Sequence, residues 1–233
     1  NELTPAAISA IVKFAATHYF NSEHYININN KAYFSIYHVA GLLKQYGPSG
    51  TNKIIAAFRR ETKRYGHELH MVGLLSVTPE DGEYTESIRR LELDALTAYC
   101  SLADFKRQGY QQNYLHLSAE RVKEWDACAA MYEKCFYPCI AAGWNASYRG
   151  EAGYDPAIHG LRFPWAPVVI NDTPANFAAY LQQADTFTER SLPEQQIVLL
   201  GPWNEWSEGC YLLPDQQYGY GKLEAIKAIK SNL

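Results

Sequence analysis

Apolar positions along the chain follow two spacings, one typical of helices and one of buried strands. A 3.6-residue period in 4–20 places Ile8, Ile11, Val12 and Ala15 on one stripe, after a Thr4-Pro5 start signal. The same reasoning predicts a helix over 118–134, opened by Ser118, and one over 173–190, with Thr173 as N-cap and Pro174 in its first turn. Further helices are predicted over 51–66, 84–92 and 222–232.

Short runs rich in β-branched and aromatic residues predict five strands between these helices. They cover residues 31–39, 69–77, 93–101, 135–144 and 195–203. Strands that alternate with helices or long loops indicate an α/β fold with a parallel sheet covered by helices. A doubly wound sheet and a (β/α)8 barrel of the TIM type both fit this pattern. No linker or internal repeat interrupts it, so residues 1–233 are predicted to form a single domain.

Composition and charge exclude several partners. The chain has 233 residues, 47% of them hydrophobic, and a net charge of −4. This charge gives no basic surface for nucleic acid or an anionic membrane. No apolar run reaches the roughly 20 residues of a membrane span, and the first residues do not read as a signal peptide. The compartment stays open: bacterial periplasmic or secreted and cytoplasmic locations both fit.

Aromatic residues and cysteines narrow the chemistry further. The aromatic content is 14%, with 18 tyrosines and 5 tryptophans, which suits either stacking platforms for sugar rings or a tyrosine-rich core. Five cysteines do not form a disulfide framework, and we predict that all are reduced. Because no CxxC pair, His/Cys cluster or nucleotide-binding glycine motif occurs, no metal and no cofactor is expected.

Polar and aromatic side chains gather at the predicted carboxyl ends of strands, where parallel α/β folds place their functional groups. The first strand ends on Tyr37 and His38, and the third on Tyr99 and Cys100. The last two strand ends are the densest and carry the candidate binding residues Trp144, Asn145, Tyr148, Arg149, Trp203, Asn204 and Trp206. This composition fits a polar sugar site with stacking platforms.

Two carboxylates three residues apart, Glu205 and Glu208, lie within the run WNEWSEG. Like charges held close together drive their pKa values apart, and neighbouring indoles add desolvation that raises the pKa of an acid. Glycoside hydrolysis needs such a division between an acid and a base or nucleophile. The alternative is that both glutamates lie in the first turn before a helix, where its dipole favours them.

The remaining polar motifs have structural readings. His67 and His70 lack the spacing of HExxH, and the acidic turn at Glu80, Asp81 and Glu83 reads as solvated rather than calcium-binding. Sequons begin at Asn145 and Asn171, and Asn171 with Asp172 precedes the predicted helix N-cap at Thr173. None of these motifs changes the picture of a sugar site.

The segment GPWNEWSEGCYLLPDQQYGYGKLEAIK (201–227) resembles the C-terminal signature of the WbsX-like family, which is related to the family 99 glycoside hydrolases. Similar stretches are YFNSEHYININNKAYFSIY (19–37), GWNASYR (143–149) and PANFAAYLQQA (174–184). The resemblance therefore runs through nearly all of the chain.

This resemblance implies a fold and a set of roles. The fold is a (β/α)8 barrel, of which only the C-terminal five β/α units are found in this chain, so that a preceding segment or a second chain would complete it. Glu205 is implied to deprotonate the 2-hydroxyl of the sugar, which then attacks the anomeric carbon. Glu208 is implied to protonate the leaving oxygen and later to activate water, with net retention. The tryptophans and Tyr37 would shape subsites, and Arg149 would hydrogen-bond hydroxyls.

The chain departs from the family pattern at three positions. Asn145 stands where the family usually has Asp, Ala146 where it often has Asn, and His38 where many members have Arg. The expected function is a retaining glycoside hydrolase acting on an α-linked, mannose-containing or complex bacterial polysaccharide. Two alternatives remain open: a glycosyltransferase in surface-polysaccharide biosynthesis, which lacks support from any DxD motif, and a non-catalytic glycan-binding module.

Overall fold

The computed structural model describes residues 3–75, 82–99, 102–106 and 109–230. Strands and helices are interspersed along the chain, and in several places two short strands follow one another without a helix between them. The strands are β1 (Asn27–Ile28), β2 (Lys31–Ile36), β3 (Leu69–Leu75), β4 (Ala95–Ala98), β5 (Gln111–Asn113), β6 (Cys135–Tyr137), β7 (Cys139–Ala141), β8 (Val168–Ile170), β9 (Leu199–Gly201), β10 (Asn204–Glu205) and β11 (Cys210–Tyr211). The α-helices are α1 (Pro5–Ala15), α2 (Val39–Lys63), α3 (Gly82–Arg89), α4 (Tyr114–Tyr132), α5 (Pro156–His159), α6 (Pro174–Thr188) and α7 (Gly221–Lys230).

Contacts between residues divide the chain into two compact units. Unit 1 comprises Asn1–Ala98, Cys128–Tyr137 and Pro193–Gln195, and unit 2 comprises Tyr99–Ala127, Pro138–Leu192 and Gln196–Leu233. The prediction of a single domain over 1–233 stays a prediction. Within the described residues, no helix is long and apolar enough to cross a membrane.

Unit 1 is built on a five-stranded sheet with the order β1-β2-β3-β4-β6. β2, β3, β4 and β6 run parallel to one another, and β1 adds an antiparallel edge. The central strand β3 is buried along nearly its whole length, as expected for a parallel sheet covered on both faces. Helix α2 packs beside it, with Ile54, Ile55 and Phe58 buried.

Unit 2 contains three pairs of strands. β5 pairs with β8 and β7 pairs with β9, both in parallel, whereas β10 and β11 form an antiparallel hairpin. The carboxyl ends of β7 and β9 lie side by side because Ala141 is in register with Gly201. Helices α6 and α7 pack against each other. This arrangement places the loop after β7 next to the segment after β9.

Two predicted helix starts are confirmed by their caps. The Thr4 hydroxyl accepts a hydrogen bond from the Ala7 amide at 3.2 Å, and Pro5 is the first residue of α1. The Thr173 hydroxyl accepts from the Asn176 amide at 3.3 Å, and Pro174 begins α6. In both helices a side-chain oxygen satisfies an amide that has no partner within the helix.

The predicted start at Ser118 is wrong. Helix α4 begins four residues earlier, at Tyr114, because the Asn113 side-chain oxygen accepts from the Leu115 and His116 amides at 3.0 and 3.3 Å. Ser118 is buried within the helix, and its hydroxyl donates to the Leu115 carbonyl. The predicted start at residue 51 is also late, though only by a few residues: α2 consists of two helical segments that meet at Gly47, whose φ of 63° and ψ of 176° are not helical, and the second segment follows from Pro48.

Two strand predictions also need correction. The predicted strand 135–144 is divided into β6 and β7 at Pro138, a residue without an amide hydrogen to donate to a ladder. The strand β8 was not predicted; it is only three residues long, and its apolar run follows three prolines at 156, 164 and 167. Cys100, at the predicted end of the third strand, lies outside the described residues, as do Glu80 and Asp81 of the acidic turn.

Candidate active site

The WNEWSEG run forms a tight hairpin after β9. Asn204 is in register with Tyr211 and Glu205 with Cys210, and a 3-10 turn over Trp206–Glu208 joins the two short strands. Gly209 closes this turn in the left-handed region at φ 56°, and its amide donates to the Trp206 carbonyl at 3.0 Å. The predicted alternative, a helix first turn, is therefore replaced by a hairpin with both glutamates near its tip.

The loop after β7 lies directly against this hairpin. The Asn145 amide donates to the Glu208 carbonyl at 2.6 Å. A Cβ added at Gly209 would lie 2.8 Å from the Asn145 Cβ, so the two backbones approach more closely than any other residue type would allow. Asn145 also caps the 3-10 turn Ala146–Arg149 through its side-chain oxygen, which accepts from the Ser147 amide and hydroxyl.

Arg149 brings the two glutamates together. Its Nη2 lies 3.3 Å from Glu205 Oε1 and 3.3 Å from Glu208 Oε1. Because both oxygens lie at that distance from one nitrogen, their separation is at most twice as large. The Arg149 Nε donates to the Ser207 hydroxyl at 3.0 Å, and that hydroxyl donates to Glu205 Oε1. One guanidinium thus holds both carboxylates and the serine between them.

The two carboxylates differ in exposure and in hydrogen bonding. The Glu208 side chain is 21% exposed and that of Glu205 is 40% exposed. The Ser207 hydroxyl lowers the pKa of Glu205 most strongly, and the charge and hydrogen bond of Arg149 lower it further. At Glu205 these contacts outweigh desolvation, so the predicted effect of the flanking indoles does not prevail there. Glu205 is therefore held as an ionised carboxylate.

Aromatic side chains surround the hairpin with different degrees of exposure. Trp203 and Trp206 are both about half exposed, and the Trp206 ring packs on Tyr211 with 4.1 Å between centroids. Tyr148 is mostly exposed. Trp144 is half-buried and packs edge to face against Phe105. Its indole nitrogen is buried and has no hydrogen-bond partner among the described residues.

The structure places the predicted site residues on two units. Glu205, Glu208, Arg149, Asn145 and the aromatic residues just described belong to unit 2, together with the exposed Asn204. Tyr37 and His38 lie at the carboxyl end of β2 in unit 1, where Tyr37 is exposed and the His38 ring covers Gly41. The contacts that join the two glutamates to Arg149 and the hairpin to the loop after β7 therefore all lie within unit 2.

Histidines and cysteines do not form a metal site in the described part of the chain, where no group of three His, Cys, Asp or Glu side chains could hold an ion. His70 is buried, and its Nε2 lies 2.9 Å from the Tyr137 hydroxyl. His67 contacts the Asn21 side chain at 3.1 Å. The four described cysteines, Cys128, Cys135, Cys139 and Cys210, do not form disulfides.

Four residues that contribute to this region were not predicted as site residues: Ser207, Tyr211, Asp172 and Lys222. Ser207 lies between the two glutamates in sequence, and this position alone could have pointed to it. Tyr211 could have been found from the hairpin register, because it lies opposite Asn204. Lys222 has no sequence signal, since a lysine near the start of an amphipathic helix reads as a solvated residue.

The α/β fold of the chain is similar to that of two solved structures. Among solved structures, the chain is similar to the GH99 endo-alpha-mannosidase from Bacteroides thetaiotaomicron in complex with BIS-TRIS-propane, with a TM-score of 0.52 and 14% identity over 99% of this chain. A second structure of an endo-alpha-mannosidase from the same organism gives a TM-score of 0.53 at 14% identity. The chain covers 65% and 62% of those two chains, less than two thirds of their length. No match was found among curated proteins.

The family itself follows from the sequence match. Residues 7–226 match the family described as "Glycosyltransferase WbsX". The chain therefore belongs to the WbsX family of carbohydrate-active proteins. The resemblance read from the WNEWSEG segment is confirmed, as is the mixed α/β fold.

Proposed function

We propose that this protein is a glycoside hydrolase whose catalytic residues are Glu205 and Glu208. The observation that carries the proposal is the convergence of both carboxylates on the single guanidinium of Arg149. Two carboxylates at close range are what glycoside hydrolysis requires, one to donate a proton and one to act as base or nucleophile. The resemblance of the hairpin sequence to family 99 hydrolases supports the same assignment.

The pKa of Glu205 supports its role as the base. Ser207 and Arg149 keep this carboxyl ionised, so it can accept the proton of the sugar 2-hydroxyl as the resulting oxygen attacks the anomeric carbon. Glu208, the more buried of the pair, donates its proton to the leaving oxygen in the same step. This first step gives a 1,2-anhydro sugar. Glu208 then accepts a proton from water as the water oxygen attacks the anomeric carbon. The bond from that carbon to the 2-oxygen breaks, and the 2-oxygen takes back its proton from Glu205.

Retention of configuration follows from the proposed mechanism. The 2-oxygen and then water each attack the anomeric carbon from the face opposite the departing oxygen, so two inversions give net retention. The two Oε1 atoms can be no farther apart than twice 3.3 Å, which lets both carboxylates act on one sugar.

The substrate proposed is an α-linked, mannose-containing or complex bacterial polysaccharide. Trp203 and Trp206 on the hairpin, with Tyr148 beside Arg149, expose aromatic faces that suit sugar rings. The exposed Asn204 is proposed to hydrogen-bond the same sugar, and Asn145 and Trp144 are proposed as binding residues by the resemblance alone. Tyr37 and His38 are proposed as further subsite residues by the resemblance alone.

The proposal includes the architecture that the resemblance implies. Parallel β2, β3, β4 and β6, with the pairs β7–β9 and β5–β8, are proposed to be the C-terminal five β/α units of a (β/α)8 barrel. Coverage of 99% of this chain against 65% of a solved endo-alpha-mannosidase supports this. The remaining wall would come from a preceding segment or a second chain.

A second candidate function is glycosyl transfer, which the name of the family favours. A transferase would need an activated donor, and the sequence has no DxD motif to hold a metal and a nucleotide-sugar. A transferase therefore predicts no release of sugar from polysaccharide, and instead transfer of the donor sugar to an acceptor with the nucleotide as leaving group. The hydrolase and the transferase therefore differ in whether the reaction requires a nucleotide-sugar donor.

The test incubates the purified protein with α-linked mannan and bacterial polysaccharide fragments without nucleotide-sugar, and follows the reducing ends released. The wild type should release sugar, and Glu205→Gln and Glu208→Gln should each reduce release by at least about 100-fold, the scale of an acid or base catalyst. Glu224→Gln is the matched control, because Glu224 is an exposed residue of α7 outside the hairpin.

Two results would contradict the hydrolase. No release of reducing ends, together with transfer of sugar from an added nucleotide-sugar to the oligosaccharide and release of the nucleotide, would indicate the transferase. Binding of the oligosaccharides without any release, with equal affinity in the wild type and both glutamine variants, would indicate a glycan-binding module.

A further inference from the structure

A buried lysine lies beneath the hairpin that carries the two glutamates. Among the described residues, Lys222 is the one Lys, Arg, Asp or Glu that is buried, with 6% of its surface exposed. It is the second residue of α7, which begins where Gly221 meets Pro174 at the start of α6. Placing a charged side chain inside a protein is unfavourable unless its donors are matched.

Three groups surround the ammonium of Lys222, and each belongs to a different segment of unit 2. Its Nζ donates to the carbonyl of Ala142, directly after β7, at 2.8 Å. It also lies 3.4 Å from Asp172 Oδ2, in the loop after β8. The Tyr211 ring of β11 is 5.4 Å away on its face, a cation–π distance. Each of the three N–H groups of the ammonium can therefore point toward one of these groups.

Tyr211 belongs to the hairpin, and Asp172 packs beside Gly143 in the loop that lies against it. Asp172 Oδ2 occupies space that a Cβ on Gly143 would fill, at 2.5 Å, and the Gly209 carbonyl lies 3.0 Å from the same point. Gly209 follows Glu208 and ends its turn. Tyr211 packs on Trp206 and lies opposite Asn204, the residue before Glu205. Lys222 therefore contacts the hairpin directly at Tyr211. Through Asp172 and the Ala142 carbonyl it also contacts the loop after β7, whose Asn145 amide donates to the Glu208 carbonyl.

We propose that Lys222, together with Asp172, is a positioning residue that sets the orientation of the hairpin and so the placement of Glu205 and Glu208. Buried ion pairs contribute little to stability compared with apolar groups of the same shape, so stability alone does not account for a charge at this point. A charge that contacts three separate segments fixes their relative positions. This inference rests on the proposed hydrolase for its kinetic consequence, but its structural consequence does not depend on activity.

The test compares Lys222→Met with Lys227→Met, the same change at an exposed residue of the same helix. Each variant carries 5-fluorotryptophan, and the Trp206 fluorine resonance is assigned from Trp206→Phe. Lys222→Met should shift this resonance, and Lys227→Met should not. In the release assay, Lys222→Met should lower kcat by about 10- to 100-fold, the effect of misplacing catalytic groups by roughly 1 Å, with little change in KM.

Asp172→Asn is the second variant, because it keeps the shape of the side chain and the bond from Lys222 to Ala142. It should also shift the Trp206 resonance and lower kcat, and it serves if Lys222→Met does not fold. An unchanged resonance and kcat in the folded variants would overturn the inference. A loss of activity that matches only the loss of folded protein would do the same. If the wild type releases no sugar but the resonance still shifts, the proposed function fails and the positioning role stands.

Discussion

The close contact between Gly209 and Asn145 allows a quantitative test of the local fold. Gly209→Ala introduces a methyl group where the backbone has φ 56°, and Gly219→Ala does so at φ 54°. The two glycines differ in what surrounds them. A Cβ at Gly209 would lie 2.8 Å from the Asn145 Cβ and 3.1 Å from its backbone nitrogen, whereas one at Gly219 meets nothing within 4 Å.

The expected loss of stability can be worked out from these surroundings. An L-residue in the left-handed region costs about 1–2 kcal/mol, and alanine recovers about 0.4–1 kcal/mol by restricting the unfolded chain. Gly219→Ala should therefore lower the free energy of unfolding by about 1 kcal/mol. Overpacking against a backbone that cannot move adds about 1–3 kcal/mol, so Gly209→Ala should lose roughly 2–4 kcal/mol.

Urea denaturation followed by tryptophan fluorescence measures both variants, with thermal melting as a second readout at about 2–4 °C per kcal/mol for a chain of this size. The difference between the two variants isolates the contact with Asn145. Equal losses at Gly209 and Gly219 would refute the close approach of the loop after β7 to the hairpin.

Two further predictions concern the pKa of Glu205 and the start of α6. The Ser207 hydroxyl is the strongest cause of the lowered pKa of Glu205. Because the ionised base is lost as the pH falls through that pKa, Ser207→Ala should move the acidic limb of the pH–activity profile to higher pH. A limb that stays in place or moves to lower pH would contradict this. Thr173→Ala removes the cap of α6 and should lower the unfolding free energy by about 1 kcal/mol in urea titrations, whereas no change would mean that the cap is not formed.

Patterns with a local cause could be predicted from the sequence. The caps at Thr4 and Thr173 depend on a few adjacent residues, and both are found in the structure. The sequence offers two possible N-caps for α4, Asn113 and Ser118, and does not choose between them. The structure does, because Asn113 caps the helix and Ser118 is buried within it. Likewise, β8 has too few residues to show an apolar period. Its partner β5 is distant from it along the chain, so the local sequence does not indicate this pair.

The candidate site was predictable in its composition but not in its contacts. The density of Trp, Asn, Arg and Glu after two strands indicated which loops to examine, and Arg149 does contact both glutamates. The role of Lys222 depends on contacts with residues 142, 172 and 211, which are far apart along the chain. The fall in the Glu205 pKa likewise depends on where Ser207 and Arg149 point, which sequence spacing does not define.

The stereochemistry of the first product tests the central claim most directly. Proton NMR recorded during hydrolysis of an α-linked oligosaccharide, before mutarotation, identifies the anomer released. The proposed mechanism, in which the 2-oxygen and then water attack the anomeric carbon with the help of Glu205 and Glu208, predicts that the α-anomer forms first in the wild type and is absent with either glutamine variant. Formation of the β-anomer first, or an unchanged rate when either glutamate is replaced, would contradict the account.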